Sequence, residues 1–92
     1  MPTSFNGTTT TVAASTSPQS VTGDDNRIGW SMTNASTGRF YLLDGTGSVS
    51  PTNYTVYLDP GDYFEVPFEF VGAVQIVWGA AATGNALVTV YT

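Results

Sequence analysis

No cysteine, no histidine and no lysine occur in these 92 residues. The first absence removes disulfides, thiolate nucleophiles and cysteine metal sites. The second removes the side chain that most often binds zinc or acts as a base near neutral pH. Without lysine, all positive charge lies on two arginines, Arg27 and Arg39, against seven carboxylates, for a formal net charge of −5. Nucleic-acid affinity rests on neutralising several phosphates, so this balance argues against a phosphate-tracking groove. No apolar run approaches the ~20 residues of a membrane-spanning helix, and the first residues lack the basic and apolar regions of a signal peptide. The expectation is a chain made in the cytoplasm, with no cofactor and with neither nucleic acid nor membrane as a partner.

What is present points to a β protein that meets other proteins. A chain of this length makes one domain, and burial barely offsets ordering entropy at this size, so oligomerisation or attachment to a larger body is the support left. Charged residues are 10% of the chain and aromatics 13%, which leaves apolar surface for such contacts. Residues 1–18 are rich in Thr and Ser and read as an extended arm, in which Thr8 to Val12 can pair as an edge strand. From Val21 onward, β-branched and aromatic runs alternate with Gly, Pro, Asn and Asp. Strands are predicted at 8–14, 19–23, 27–33, 39–44, 54–58, 62–70, 73–79 and 86–91. No window carries a helical stripe. The fold class is therefore all-β: over residues 19–92, a single antiparallel β-sandwich, jelly-roll-like, of about seven or eight short strands without significant helix.

Two turns stand out. "LDPGD" at 58–62 places Pro60 and Gly61 where a tight turn wants a fixed and then a positive φ, and "ATGNA" at 82–86 joins the last two strands. Within 62–70, Pro67 cannot donate to a ladder, which marks an edge or a bulge. A third connection concerns the arginines. If residues 34–38 form a five-residue hairpin loop, Thr33 opposes Arg39, Met32 faces Phe40 and Trp30 faces Leu42 on the core side. Ser31 then pairs with Tyr41, Gly29 with Leu43 and Arg27 with Gly45 on the outside. The two guanidiniums bracket a patch ~20 Å long with Tyr41 and Leu43 at its centre. Two readings fit it: an interface with an aromatic and aliphatic centre and an Arg rim, or a tyrosine covering a strand glycine on a plain outer face.

Enzyme chemistry finds no foothold. Glu65 and Glu69 lie ~13 Å apart along one strand face, too far for paired-carboxylate hydrolysis, and no His or Lys is present to activate a Ser or Thr. Asp24, Asp25 and Asn26, or Asp59 with Asp62, supply oxygens for a Ca²⁺ site, but without EF-hand spacing they read as turn residues. The sequons at Asn6, Asn34 and Asn53 read likewise as turn chemistry. A carbohydrate-binding module is the alternative of another class. Its stacking candidates are Trp30, Tyr57, Tyr63 and Trp78, with both tryptophans placed in the core by strand alternation.

"QSVTGDDNRIGWSMTNASTGRFYLLDG", then "LDPGDYFEVP", "VGAVQIVWG" and "GNALVTVY", together resemble the small β-sandwich structural proteins of tailed bacteriophages. The shared pattern is an Asn-Arg before a strand ending in Asn, a Gly-x-aromatic strand, an L-x-P-G turn and a valine-rich final strand. It covers Val21 to Tyr91. The chain departs from it at Val66 to Phe70, where Pro67, Phe68 and Phe70 make an apolar edge. The resemblance implies a virion component: a capsid decoration or cement protein, or a tail- or fibre-associated one. Such a protein assembles as a homotrimer, with itself and the major capsid protein or another virion protein as partners. Arg27, Arg39, Tyr41, Leu43, Phe68 and Phe70 are the expected interface, and the capsid surface of the virion is the expected location.

Overall fold

Alternation at every second residue sends Trp30 and Met32 to one side of their strand, and Phe40 and Leu42 to one side of the next; all four are buried. The computed structural model describes residues 7–21, 29–45, 47–66 and 74–91. They form eight strands and no helix: β1 (Gly7–Ala13), β2 (Gln19–Ser20), β3 (Gly29–Ser36), β4 (Phe40–Asp44), β5 (Val56–Leu58), β6 (Tyr63–Val66), β7 (Val74–Trp78) and β8 (Gly84–Tyr91). Each corresponds to an expected strand. The stretch expected as an arm supplies β1, which is an edge strand as expected.

The strands make two four-stranded antiparallel sheets, ordered β1-β8-β3-β6 and β2-β7-β4-β5. The pairings are nested: β1 with β8, β2 with β7, β3 with β6 and β4 with β5. Pairs β3–β8 and β4–β7 complete the sheets. Trp30, Met32, Ala86 and Val88 from the first sheet and Phe40, Leu42, Leu58, Val74, Ile76 and Trp78 from the second bury into one shared cluster. Each large side chain removed from water there contributes about 1.5–3 kcal/mol. Phe40 and Trp78 pack at 4.9 Å between ring centroids, and Trp30 meets Phe64 edge-on at 6.0 Å.

This arrangement corrects the expected hairpins. β3 and β4 lie in different sheets, so Thr33 does not oppose Arg39, Ser31 does not pair with Tyr41, and Gly29 does not pair with Leu43. Of the connections between successive strands, only β4 to β5 stays within a sheet. The Pro60-Gly61 turn forms as expected, with Gly61 at φ 90° and the Asp62 N–H donating to Asp59 O at 2.9 Å, but it carries the chain from one sheet to the other. The turn before β8 does the same, with Gly84 at φ 96°. A cross-sheet corner and a hairpin use the same turn residues, and alternation within each strand is the same for both.

Candidate functional site

The outer face of the second sheet carries a convergent cluster, and the β4–β5 ladder explains it. Phe40 pairs with Leu58 and Tyr41 with Tyr57. One step further along the same register, Arg39 stands across from Asp59. The guanidinium grips the carboxylate with two hydrogen bonds, Nε to Oδ1 at 2.6 Å and Nη2 to Oδ2 at 3.2 Å. It also lies over the Tyr57 ring, with Cζ 4.0 Å from the centroid. The Tyr41 and Tyr57 rings stand 6.3 Å apart, and Tyr54, from the β4–β5 loop, completes a triangle at 5.0 Å from Tyr41 and 6.1 Å from Tyr57. Tyr54 and Tyr57 are 40% and 42% exposed, so two of the three rings present area to solvent.

A flat floor and a folded loop hold these rings. Tyr41 leans on Gly79 of the strand end beside it: a Cβ there would sit 3.0 Å from Tyr41 Cε2. Tyr41 therefore does cover a glycine, but Gly79 and not Gly29. The 45–55 loop is pinned by the Gln75 side chain, whose Nε2 donates to Gly47 O at 2.7 Å, and by Asn53 Nδ2 donating to Ser48 O at 2.9 Å. Gly47 lies beside Leu43, which is half-buried.

Beneath the patch is a buried polar corner. Asn34, 1% exposed, donates from Nδ2 to Gly38 O at 2.9 Å and to Leu58 O at 2.7 Å. Gly38 directly precedes Arg39 and Leu58 directly precedes Asp59, so one amide fixes the backbone at both members of the ion pair. Asn34 Oδ1 accepts the Ser36 N–H at 2.9 Å and the Ser36 hydroxyl at 2.5 Å, and Trp78 Nε1 donates to Ser36 Oγ at 2.8 Å. The sequon at Asn34 is thus structural, with its amide nitrogen spent inside the fold.

Electrostatically the ion pair is half-exposed, at 44% and 45% side-chain accessibility. The Arg39 hydrogen bonds hold the Asp59 carboxyl below the ordinary carboxylate range, and Asp59 first, with Tyr41 second, raises the guanidinium further. Asp62 serves the turn: its Oδ2 accepts the Asp59 N–H at 2.9 Å. Among the described residues no group of three or more His, Cys, Asp or Glu side chains is placed to hold a metal ion, and no helix is long and apolar enough to cross a membrane.

Of the expected interface, Arg39, Tyr41 and Leu43 share this outer face, while Arg27, Phe68 and Phe70 lie outside the described residues, as do Asp24, Asp25 and Asn26. Trp30 and Trp78 are core, at 3% and 1% exposed. Tyr63, 57% exposed, belongs to the other sheet and reaches Glu65 Oε2 with its hydroxyl at 3.2 Å, so it forms no common platform with Tyr57. Sequence reading missed Tyr54, Asp59 and Gly79 as members of the cluster. The available signal was the opposition of Tyr41 and Tyr57, which follows once β4 is paired with β5. No family model, no curated protein and no solved structure matches this chain.

Proposed function

We propose that this chain is a non-enzymatic structural protein of a bacteriophage virion, a capsid decoration or cement protein that docks on the outer shell as an oligomer. The observation that carries the reading is the Arg39–Asp59 pair set among Tyr41, Tyr54 and Tyr57 on one outer sheet face. Tyrosine and arginine are the residues that concentrate binding energy at protein interfaces, and here they are ordered before any partner arrives. The fold supports it too. Nested pairing of first strand with last, inward to β4 with β5, is what a long antiparallel ribbon makes when it rolls into two facing sheets. We read that order as jelly-roll-like, an architecture frequent in viral shells. The absence of His, Cys and Lys supports a role in surface complementarity instead of catalysis.

The test adds purified protein to parent-phage shells assembled without it. Binding to a fixed number of sites with a raised shell melting temperature is expected, and Tyr57→Ala should lose most of that occupancy. Shells left bare by the wild-type chain would overturn the reading. One observation favours a second reading, a glycan-binding module: the Tyr57 ring is exposed beside the polar Arg39–Asp59 pair, a surface that can stack a sugar ring and bond its hydroxyls. Binding on a glycan array, together with indifference to shells, would select it.

A further inference from the structure

A sheet offers unpaired N–H and C=O groups only along its edges, and folded proteins guard those edges with short strands, charge or proline. The edges here are β1 and β6 in the first sheet, β2 and β5 in the second. Three are guarded. β2 has two residues and β5 three, and β6 has four, with Glu65 on it and Asp62 before it. Among the described residues β1 has no such device. Its seven residues pair with β8 without a bulge, and Gly7–Ala13 contains neither charge nor proline.

Register tells which of its groups face outward. The Ala14 N–H donates to Gly84 O at 3.1 Å, continuing the β1–β8 ladder, so the even-numbered residues turn their backbone groups toward β8. Gly7, Thr9, Thr11 and Ala13 turn theirs away from the sheet. At Ala13 the carbonyl is covered, because Gln19 Nε2 donates to it at 2.8 Å. Among the described residues, the uncovered groups are those of Gly7, Thr9 and Thr11, together with the Ala13 N–H. Thr9 Oγ1 is occupied with Thr89 Oγ1 at 2.8 Å, which leaves its backbone free of side-chain competition.

We propose that β1 pairs antiparallel with β1 of a second copy of this chain, about a two-fold axis at Thr9, joining two four-stranded sheets into one of eight. In this register Thr9 faces its own counterpart and Gly7 faces Thr11, so the N–H and C=O of all three are used and the covered Ala13 carbonyl is not needed. The strand is its own complement, because threonine favours extended backbone and no charge meets its like. On the described strands, charge does not oppose this seam. Each copy carries −5, and the only charged residue on the described strands of the first sheet is Glu65 on β6, three strands away. That is about 14 Å, beyond the ~8 Å screening length at physiological salt. An isologous contact of this kind closes at two copies, so a three-fold assembly would need another surface. The inference goes beyond shell docking and stands apart from it, since it concerns the free protein.

Light scattering and native mass spectrometry over a dilution series should give about 19.4 kDa, twice the 9.7 kDa chain, falling to one chain on dilution. Thr9→Pro deletes an outward N–H and keeps the β8 ladder, so it should abolish the dimer while its Tm stays near that of diluted wild type. Thr10→Pro deletes an N–H given to β8 and should lower Tm much further. In the unmodified protein the Thr9 and Thr11 amides should be protected from hydrogen exchange at high concentration and exchange rapidly on dilution. A wild-type monomer at millimolar concentration, a trimer mass, a dimer that survives Thr9→Pro, or unprotected Thr9 and Thr11 amides in the dimer would each overturn the proposal.

Discussion

Residues 34–38 and residues 39–41 are neighbours in sequence, yet polar side chains have opposite duties in the two stretches. At the buried corner, Asn34 and Ser36 exchange hydrogen bonds with Gly38, Leu58 and Trp78 out of reach of water. On the patch, Arg39 and Asp59 make an equally well-formed pair in half-exposed surroundings. A hydrogen bond in solvent competes with water and contributes little net stability, whereas a buried group left without its partner costs its full desolvation penalty. The corner therefore holds the fold, and the patch contributes little to it, as the proposed docking role requires.

The largest way to break this contrast is Asn34→Ala. It strips Leu58 O of a buried donor and Ser36 of its acceptor, and should cost about 2–4 kcal/mol of unfolding free energy in urea titration. A loss within the range of an ordinary surface substitution would remove the corner from its role.

Next is Gly84→Ala, at the turn that delivers β8. The φ of 96° disfavours any side chain, and the new Cβ would lie 2.7 Å from Ala35 O. A destabilisation of about 2–3 kcal/mol is expected by thermal melting. On the patch, Arg39→Ala should move stability by no more than ~0.5 kcal/mol. Its effect on shell docking should be much larger, roughly tenfold or more in affinity. Equal effects on both measurements would erase the distinction between the regions.

The smallest effect concerns pH. Arg39 favours the ionised Asp59, so the pair's contribution is complete above the ordinary carboxylate pKa of about 4 and is lost as pH falls through the depressed value in the folded protein. An NMR titration should place the Asp59 midpoint below that of a free aspartate, and Arg39→Ala should bring it back up.

The faces of the strands were legible because alternation is a local property: Trp30, Met32, Phe40, Leu42 and Trp78 needed only their neighbours to be assigned inward. Pro60-Gly61 was legible because a tight turn demands those φ values. The pairing of strands was not. Whether the chain turns back within a sheet or crosses to the other depends on tertiary partners such as the Gly61 N–H donating to Asn34 O at 2.8 Å, which no local pattern encodes. Asn34 illustrates this best. It reads as a loop residue, and lies instead in the middle of a strand, because its amide finds carbonyls from two other segments at once. The patch was legible by half for the same reason: Arg39, Tyr41 and Leu43 follow from one strand, but Asp59 and Tyr57 join them only when β5 lies alongside.

The nested pairing also bears on the order in which the structure can assemble. Leu42 meets Val56 across 14 residues, whereas Gly7 meets Tyr91 across 84. Closing the longer loop first carries the greater entropic penalty, and each inner pair that forms shortens the span its outer neighbour must close. If loop closure sets the order, the ribbon closes from its middle outward, with the tyrosine-bearing hairpin early and the threonine strand last, and most of the described strands are paired before the β1 edge exists.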